Sequence, residues 1–320
     1  MPLIDWVATQ FLYKLTIGVI SGLVILTLAS QFGKYLYLEL TTHFRLQYLI
    51  AAVVCALLMA GFQSWKFAAV ALLCGVLNAV YLLPYFGSKP QVIGAEKKVR
   101  IFHANVLWKS KDYEAVLALI RENKPDVVVL QELSEEWSNQ VSVLGETYPN
   151  SKQVPLAEGA GMAIFSRYPL TEVEVLKLDD SPHIAIRARV DAEGETFTLL
   201  ALHPTVPLSP VKFENRNRQF KAAAELLNSI GGHKVVIGDL NTTMWSPYFT
   251  NFLREARLRD GRVGFGLQTS WPVPLPSFLR LPIDHCLVTE GVQVDRLGLG
   301  GRTGSDHRPL IVDLSLLGVP

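Results

Sequence analysis

Charge is scarce at the start of this chain. Residues 1–90 carry Lys14, Lys34, Arg45, Lys66 and Lys89 against only Asp5 and Glu39. A stretch so poor in charge argues against an ordinary soluble domain there, because it has little to solvate its surface. Cysteine is scarce too. Cys55, Cys74 and Cys286 share no metal-like spacing, which argues against a zinc site or a disulfide framework and reads as buried small hydrophobes. A basic surplus is also missing. Five of the 30 basic and two of the 29 acidic residues fall in 1–90, leaving 25 against 27 in 91–320. A net charge of −2 there disfavours a dedicated duplex binder, although a local basic patch remains compatible with it. No solenoid-length repeat and no low-complexity tract interrupts the 320 residues.

What the first part does contain is apolar. Runs at about 15–32, 46–62 and 67–86 predict three transmembrane helices, and they account for the positive mean hydropathy of +0.25. A span takes about 20 mainly apolar residues, a length the middle run approaches only marginally. Trp6, Tyr13, Tyr35, Tyr37, Tyr48, Trp65 and Tyr81 cluster near the run ends, as interfacial aromatics do. A cleaved signal peptide, with Lys14 before the run and Leu28-Ala29-Ser30 as a weak cleavage site, explains the first run but not two more. Buried helices of a soluble domain would need a polar partner segment that this region lacks. The expectation is a multi-pass protein of the cell membrane, in contact with the lipid bilayer. The positive-inside count favours a cytoplasmic domain when Lys89, Lys97, Lys98 and Arg100 are included; without them it is two against two, which leaves the side open.

Residues 91–320 follow a breaker-rich linker at 87–96 and alternate between strand-like and helix-like segments. Strands are expected at 99–106, 126–131, 162–166, 172–178, 184–190, 196–202, 234–237, 283–288 and 310–314. Helices are expected at 112–122, 134–144, 211–228 and 247–256. The mixture predicts an α/β fold with a pair of mixed sheets flanked by helices.

Several strand ends carry chemistry. Glu132 closes the unbroken apolar run Val127–Leu130, where an idle carboxylate would be costly. Its oxygens suit a hard cation such as Mg2+, with Mn2+ as an alternative. Asn105 ends the strand before it, where a plain capping role is the competing reading. Asp239 and Asn241 follow Val235–Gly238, two residues apart and so on one side, able to orient a water and a phosphoryl oxygen. Gly238 permits a close backbone approach. Asp284 starts one strand and Asp306-His307 precede the last; a carboxylate bonded to a histidine fixes its tautomer and raises its pKa. His203 ends another strand, with a simple loop role as the alternative. Arg216 and Arg218 read as a solvated helix face, His183 and His233 as surface or loop histidines, and Trp271 as packing rather than a rim over the site.

Taken in order, Asn105, Gln131-Glu132, Ser166-Arg167, His203, Gly-Asp-Leu-Asn at 238–241, Ile-Asp-His at 283–285 and Ser-Asp-His-Arg-Pro at 305–309 resemble the endonuclease/exonuclease/phosphatase superfamily over about residues 98–316. That resemblance implies a four-layer α/β sandwich and Mg2+-dependent phosphoester hydrolysis. It implies Glu132 as metal ligand with Asn105 and Asp306 nearby, and Asp239 positioning or activating the attacking water. Asn241 would bind phosphoryl oxygens, His307 supported by Asp284 would bind the scissile phosphate, and His203 would contact phosphate or assist the leaving group. Bacterial membrane-anchored members with three N-terminal spans look similar, which implies lipid-linked phosphates of the envelope as substrate and, against the charge count, an extracytoplasmic domain. A membrane-attached nuclease is the alternative, with nucleic acid the less expected partner. A silent membrane scaffold is the reading from outside the enzymes.

Overall fold

The computed structural model describes residues 3–88 and 95–317. Contacts divide the chain into two units, one running up to Pro84 with Trp245–Pro247 and the other comprising Tyr85–Met244 with the residues from Tyr248 onward. The expected linker at 87–96 lies largely outside the described residues.

In the first unit the helices are α1 (Leu3–Ala29), α2 (Leu36–Thr42), α3 (Arg45–Gly61) and α4 (Trp65–Leu82). Two helical stretches, Trp6–Phe32 and Trp65–Phe86, are long and apolar enough to cross a membrane. The middle run differs from expectation: α2 and α3 meet at a 63° bend, and only together do they make a third span. Ile20 of α1, Cys55 and Met59 of α3 and Ala71 of α4 pack together. Gly75 lets α4 approach α3 closely, since a β-carbon there would lie 3.3 Å from that of Ala52. Arg45, one of the few charges in this part of the chain, is buried. It donates to Asn78 Oδ1 (3.1 Å) and to the Ser30 carbonyl (2.9 Å), while Asn78 donates to Thr27 Oγ1 (3.0 Å). Phe11, Ile25, Leu57, Leu73 and Val80 point outward and stay exposed. Such a girdle of large apolar side chains marks a surface made for lipid or a partner.

In the second unit, β1 (Ala95–Asn105), β2 (Val127–Gln131), β3 (Asn150–Val154), β4 (Met162–Ser166), β11 (Val292–Leu299) and β12 (Leu310–Leu317) form one sheet in the order β11-β12-β1-β2-β4-β3. A second sheet takes β5 (Leu170–Leu176), β6 (Ala185–Ala192), β7 (Glu195–Leu202), β8 (His233–Asp239), β9 (Arg259–Asp260) and β10 (Asp284–Val288) in the order β5-β6-β7-β8-β10-β9. Each sheet has one parallel pair, β1 with β2 and β7 with β8; the other pairs are antiparallel. The crossovers between the parallel strands carry α5 (Tyr113–Asn123) and α7 (Pro210–Asn228).

The alternation of side chains explains the layering. Val127 and Val129 of β2 face the core between the sheets, with Ile186, Leu199, Val235 and Ile237. Val128 and Leu130 face outward, onto Val116 and Ile120 of α5 and Trp137 of α6 (Glu135–Val141). A strand covered on both faces needs the unbroken apolar run that the sequence has. On the far side, Phe249 of α8 (Pro247–Glu255) lies 4.6 Å from the His285 ring of β10, and Phe252 stacks on Phe220 of α7. The order is helices, sheet, sheet, helices. Caps agree with it: Ser134 and Ser209 each accept a backbone N–H three residues on, starting α6 and α7.

Candidate active site

The parallel pairs decide where the polar residues meet, because parallel strands end together. β1 and β2 end at Asn105 and Gln131, which are register partners, and Glu132 follows. β7 and β8 end at Leu202 and Asp239, and antiparallel β10 sets Asp284 directly opposite Asp239. These ends leave the two packed sheets on one rim. Gly238 makes the fit possible: a β-carbon there would fall 2.0 Å from the Leu202 carbonyl oxygen and 2.4 Å from Gln131 Nε2.

One atom gathers the site. Asp239 Oδ2 accepts from Asn105 Nδ2 (3.2 Å) and lies 3.5 Å from His307 Nε2 and 3.7 Å from His203 Nε2. Asp239 Oδ1 is held by the Asn241 backbone N–H (2.9 Å). Asn105 Nδ2 also donates to Glu132 Oε1 (2.9 Å), whose Oε2 accepts from the Trp108 N–H (3.2 Å). His307 donates from Nδ1 to Asp284 Oδ2 (2.9 Å). Asn241 uses one amide hydrogen on the Pro204 carbonyl (2.9 Å), which leaves it a second to offer. Asp306 accepts from Trp271 Nε1 (2.9 Å). Leu107, Glu132 and Asn241 all adopt positive φ (56°, 62° and 50°), a conformation that costs a non-glycine residue roughly 1–2 kcal/mol and gathers at functional sites.

Electrostatics separate the roles of these groups. Burial raises the Asp239 carboxyl, opposed by His307 and reinforced by Asp284. Burial alone would lower His307, but the carboxylates of Asp284 and Asp239 overcome it and push the imidazole up to about 10. His307 is therefore a cation at neutral pH. Asp284 ends well below the usual carboxylate range: burial acts to raise it, and the His307 charge and hydrogen bond prevail. His203 goes the other way. Burial, then the neighbouring His183 and His307, hold it neutral.

Among the described residues no three His, Cys, Asp or Glu side chains form a metal cage. Mg2+ does not require one, since it commonly takes one or two carboxylates and fills its octahedron with water and substrate phosphate. The half-buried Glu132 offers a carboxylate of that kind, with Asp239 reached through Asn105, whose Nδ2 donates to both while its Oδ1 accepts from the Leu107 N–H. Asp306 is tied to Trp271, and no contact joins it to Glu132 among those described.

The structure thus brings seven of the eight expected residues into one cluster: Asn105, Glu132, His203, Asp239, Asn241, Asp284 and His307. Asp306 adjoins through its neighbour His307. Several residues carry more than the sequence suggested. His103 is fully buried between the sheets, its Nε2 3.0 Å from Gln131 Oε1 and its Nδ1 3.7 Å from Asp284 Oδ1. Gln131 Oε1 also accepts the Asp239 N–H (2.8 Å), and its Nε2 donates to the Leu202 carbonyl (3.0 Å). His183 is a loop histidine, as expected, but its ring meets that of His203 edge-on at 5.2 Å. His233 is buried at the start of β8. Trp271 borders the site through Asp306. Arg216 is buried rather than solvated, its guanidinium 5.2 Å from the rings of both Phe213 and Tyr248, whereas Arg218 is exposed as expected.

Two face-to-face mixed sheets flanked by helices, with a histidine–carboxylate cluster on their shared rim, define a four-layer α/β sandwich with a polar site at one edge. The model of the Endonuclease/Exonuclease/phosphatase family matches residues 102–307, and the chain belongs to that family. Enzymes of the family hydrolyse phosphoester bonds, generally with divalent ions such as Mg2+. No curated protein matches the chain. Solved structures with the same fold include an endonuclease/exonuclease/phosphatase from Beutenbergia cavernae DSM 12333, at 21% identity and a TM-score of 0.55 over 70% of this chain and 73% of that one. An endonuclease/exonuclease/phosphatase from Bacteroides vulgatus aligns at 18% identity and a TM-score of 0.59, over 69% of this chain and 100% of that one. D. rerio TDP2, complexed with single strand DNA product, aligns at 17% and 0.59 over the same shares.

Proposed function

We propose that the chain is a membrane-anchored, Mg2+-dependent hydrolase of lipid-linked or other membrane-proximal phosphoesters, with residues 1–90 as a three-span anchor and 91–320 as the catalytic domain. The observation that carries the reading is the convergence of Asn105, His203 and His307 on Asp239 Oδ2. Asp239 takes a proton from the attacking water, whose oxygen bonds to phosphorus as the ester P–O bond breaks. The His307 cation, held by Asp284, donates to a phosphoryl oxygen, as does the second amide hydrogen of Asn241. His203, neutral, contacts phosphate or assists the departing oxygen. Glu132, with Asn105 and Asp306 nearby, would hold the ion. Mg2+, when bound, neutralises charge developing on the phosphoryl oxygens.

Membrane anchoring is supported by the two span-length helices, by the bent pair that completes a third, and by the exposed apolar girdle. A membrane-attached nuclease is the second reading, favoured by the DNA product bound to the TDP2 neighbour. The deciding experiment incubates full-length protein in micelles with Mg2+ and either a lipid pyrophosphate or DNA. Phosphate release from the lipid supports the proposal. Turnover of DNA alone reverses it, and no turnover of any phosphoester favours the silent scaffold.

A further inference from the structure

We infer that the cleft beside Glu132 receives an apolar organic group carried by the substrate's phosphoester, which suits the enzyme to lipid-like esters rather than to nucleic acid. The inference rests on the phosphoester-hydrolase reading and deepens it. The cleft has a volume of about 650 Å3 and lies between three segments, 108–111, 134–136 and 155–158. That volume is within the range of small-molecule sites, roughly 300–1,000 Å3.

Its position is fixed by backbone bonds to the site. The Trp108 N–H donates to Glu132 Oε2, and the Leu156 N–H donates to the carbonyl of Leu133, next to Glu132. Gly159 closes the junction: a β-carbon there would lie 3.2 Å both from the Glu132 carboxyl carbon and from Trp108 Cδ1. An ester group that leaves the phosphate on the Glu132 side of the site therefore has this cleft as its neighbour.

The lining decides what kind of group fits. Trp108, Pro155, Leu156 and Ala157 give apolar wall. Ser134, Lys109, Lys111, Glu135, Glu136 and Glu158 complete the lining, so carboxylates outnumber ammonium groups. Both lysines are also engaged: Lys111 Nζ lies 3.8 Å from Glu136 Oε1, and Lys109 Nζ lies 4.6 Å from the centre of the Trp108 ring. A polynucleotide would bring further phosphates into this space, and no surplus of positive charge awaits them. A neutral hydrocarbon meets no such cost and gains from leaving water.

The test compares kcat/KM for 4-nitrophenyl alkyl phosphodiesters from methyl to hexyl, and for a dinucleotide, on the full-length protein in micelles with Mg2+. Each methylene the cleft buries is expected to raise kcat/KM about fourfold until the space is filled. Trp108→Ala and Leu156→Lys, in the same micelles, are expected to shrink the hexyl-to-methyl ratio at least about fivefold; partition into micelles affects all three proteins alike and drops out. Equal kcat/KM across the alkyl series, with turnover present, overturns the cleft's role and leaves the hydrolase reading standing. A hexyl preference undiminished in both variants overturns it too, as does faster turnover of the dinucleotide. Absence of all turnover, by contrast, removes the hydrolase reading and this inference with it.

Discussion

His307 owes its charge to a neighbour, and that dependence is measurable. Burial works against the imidazolium, and the carboxylates of Asp284 and Asp239, with a smaller contribution from Asp306, push it up to about 10. Asp284→Asn removes the largest of those contributions, and the pKa falls back toward the ordinary value of about 6.5. If the cation is the active form, as proposed, the alkaline limb of the kcat/KM profile should move to lower pH, with a loss approaching roughly 30-fold at pH 8. An unmoved alkaline limb would mean that His307 does not act as a cation. Gln131 sets a different kind of test. Its amide satisfies the Asp239 N–H and the Leu202 carbonyl, both deep between the sheets. Gln131→Leu orphans both, at about 1–3 kcal/mol each, and a fall in the midpoint of chemical denaturation should report it. At this scale the sequence was legible in part. Carboxylates and amides at the ends of apolar runs stand out along the chain. His103 and His183 do not, because what gives them meaning is a partner on another strand, Asp284 for the first and His203 for the second.

The elements that read well are those whose burial leaves a pattern in one dimension. β4 at Met162–Ser166 and the unbroken β2 are of this kind, each buried along its whole length. β3 (Asn-Ser-Lys-Gln-Val) leaves no mark in the sequence because it is an edge strand with both faces partly exposed, so no alternation betrays it. β11 is broken by a register shift between Val294 and Arg296 and lies at the other edge of that sheet. β9 is only two residues long and is carried by its pairing with β10. In the first unit the bend between α2 and α3 falls just ahead of the apolar run at 46–62, so hydropathy marks α3 and passes over the short α2, which carries Glu39. The strand junction at Gly238 makes the sharpest demand of any element. Gly238→Ala would press a methyl group into the backbone of β7 and should cost about 3 kcal/mol or more, visible as a lowered thermal midpoint. An unchanged midpoint would show that β7 and β8 can part without penalty.

As a whole the chain joins an apolar helical unit to a hydrolase domain whose own composition is ordinary. If the first unit is an anchor, the protein stays in the membrane pellet after an alkaline carbonate wash and leaves it only with detergent. Release by carbonate alone would contradict the anchor. In the proposed mechanism Asp239 is where the attacking water gives up its proton beside the phosphate. The most direct measurement is Mg2+-dependent hydrolysis of a phosphodiester by Asp239→Asn protein beside the unaltered chain, with circular dichroism confirming that both are folded. The amide keeps the shape and removes the base, so the rate should fall by roughly 10²–10⁴-fold. A folded Asp239→Asn protein that retains activity within about threefold would contradict the account.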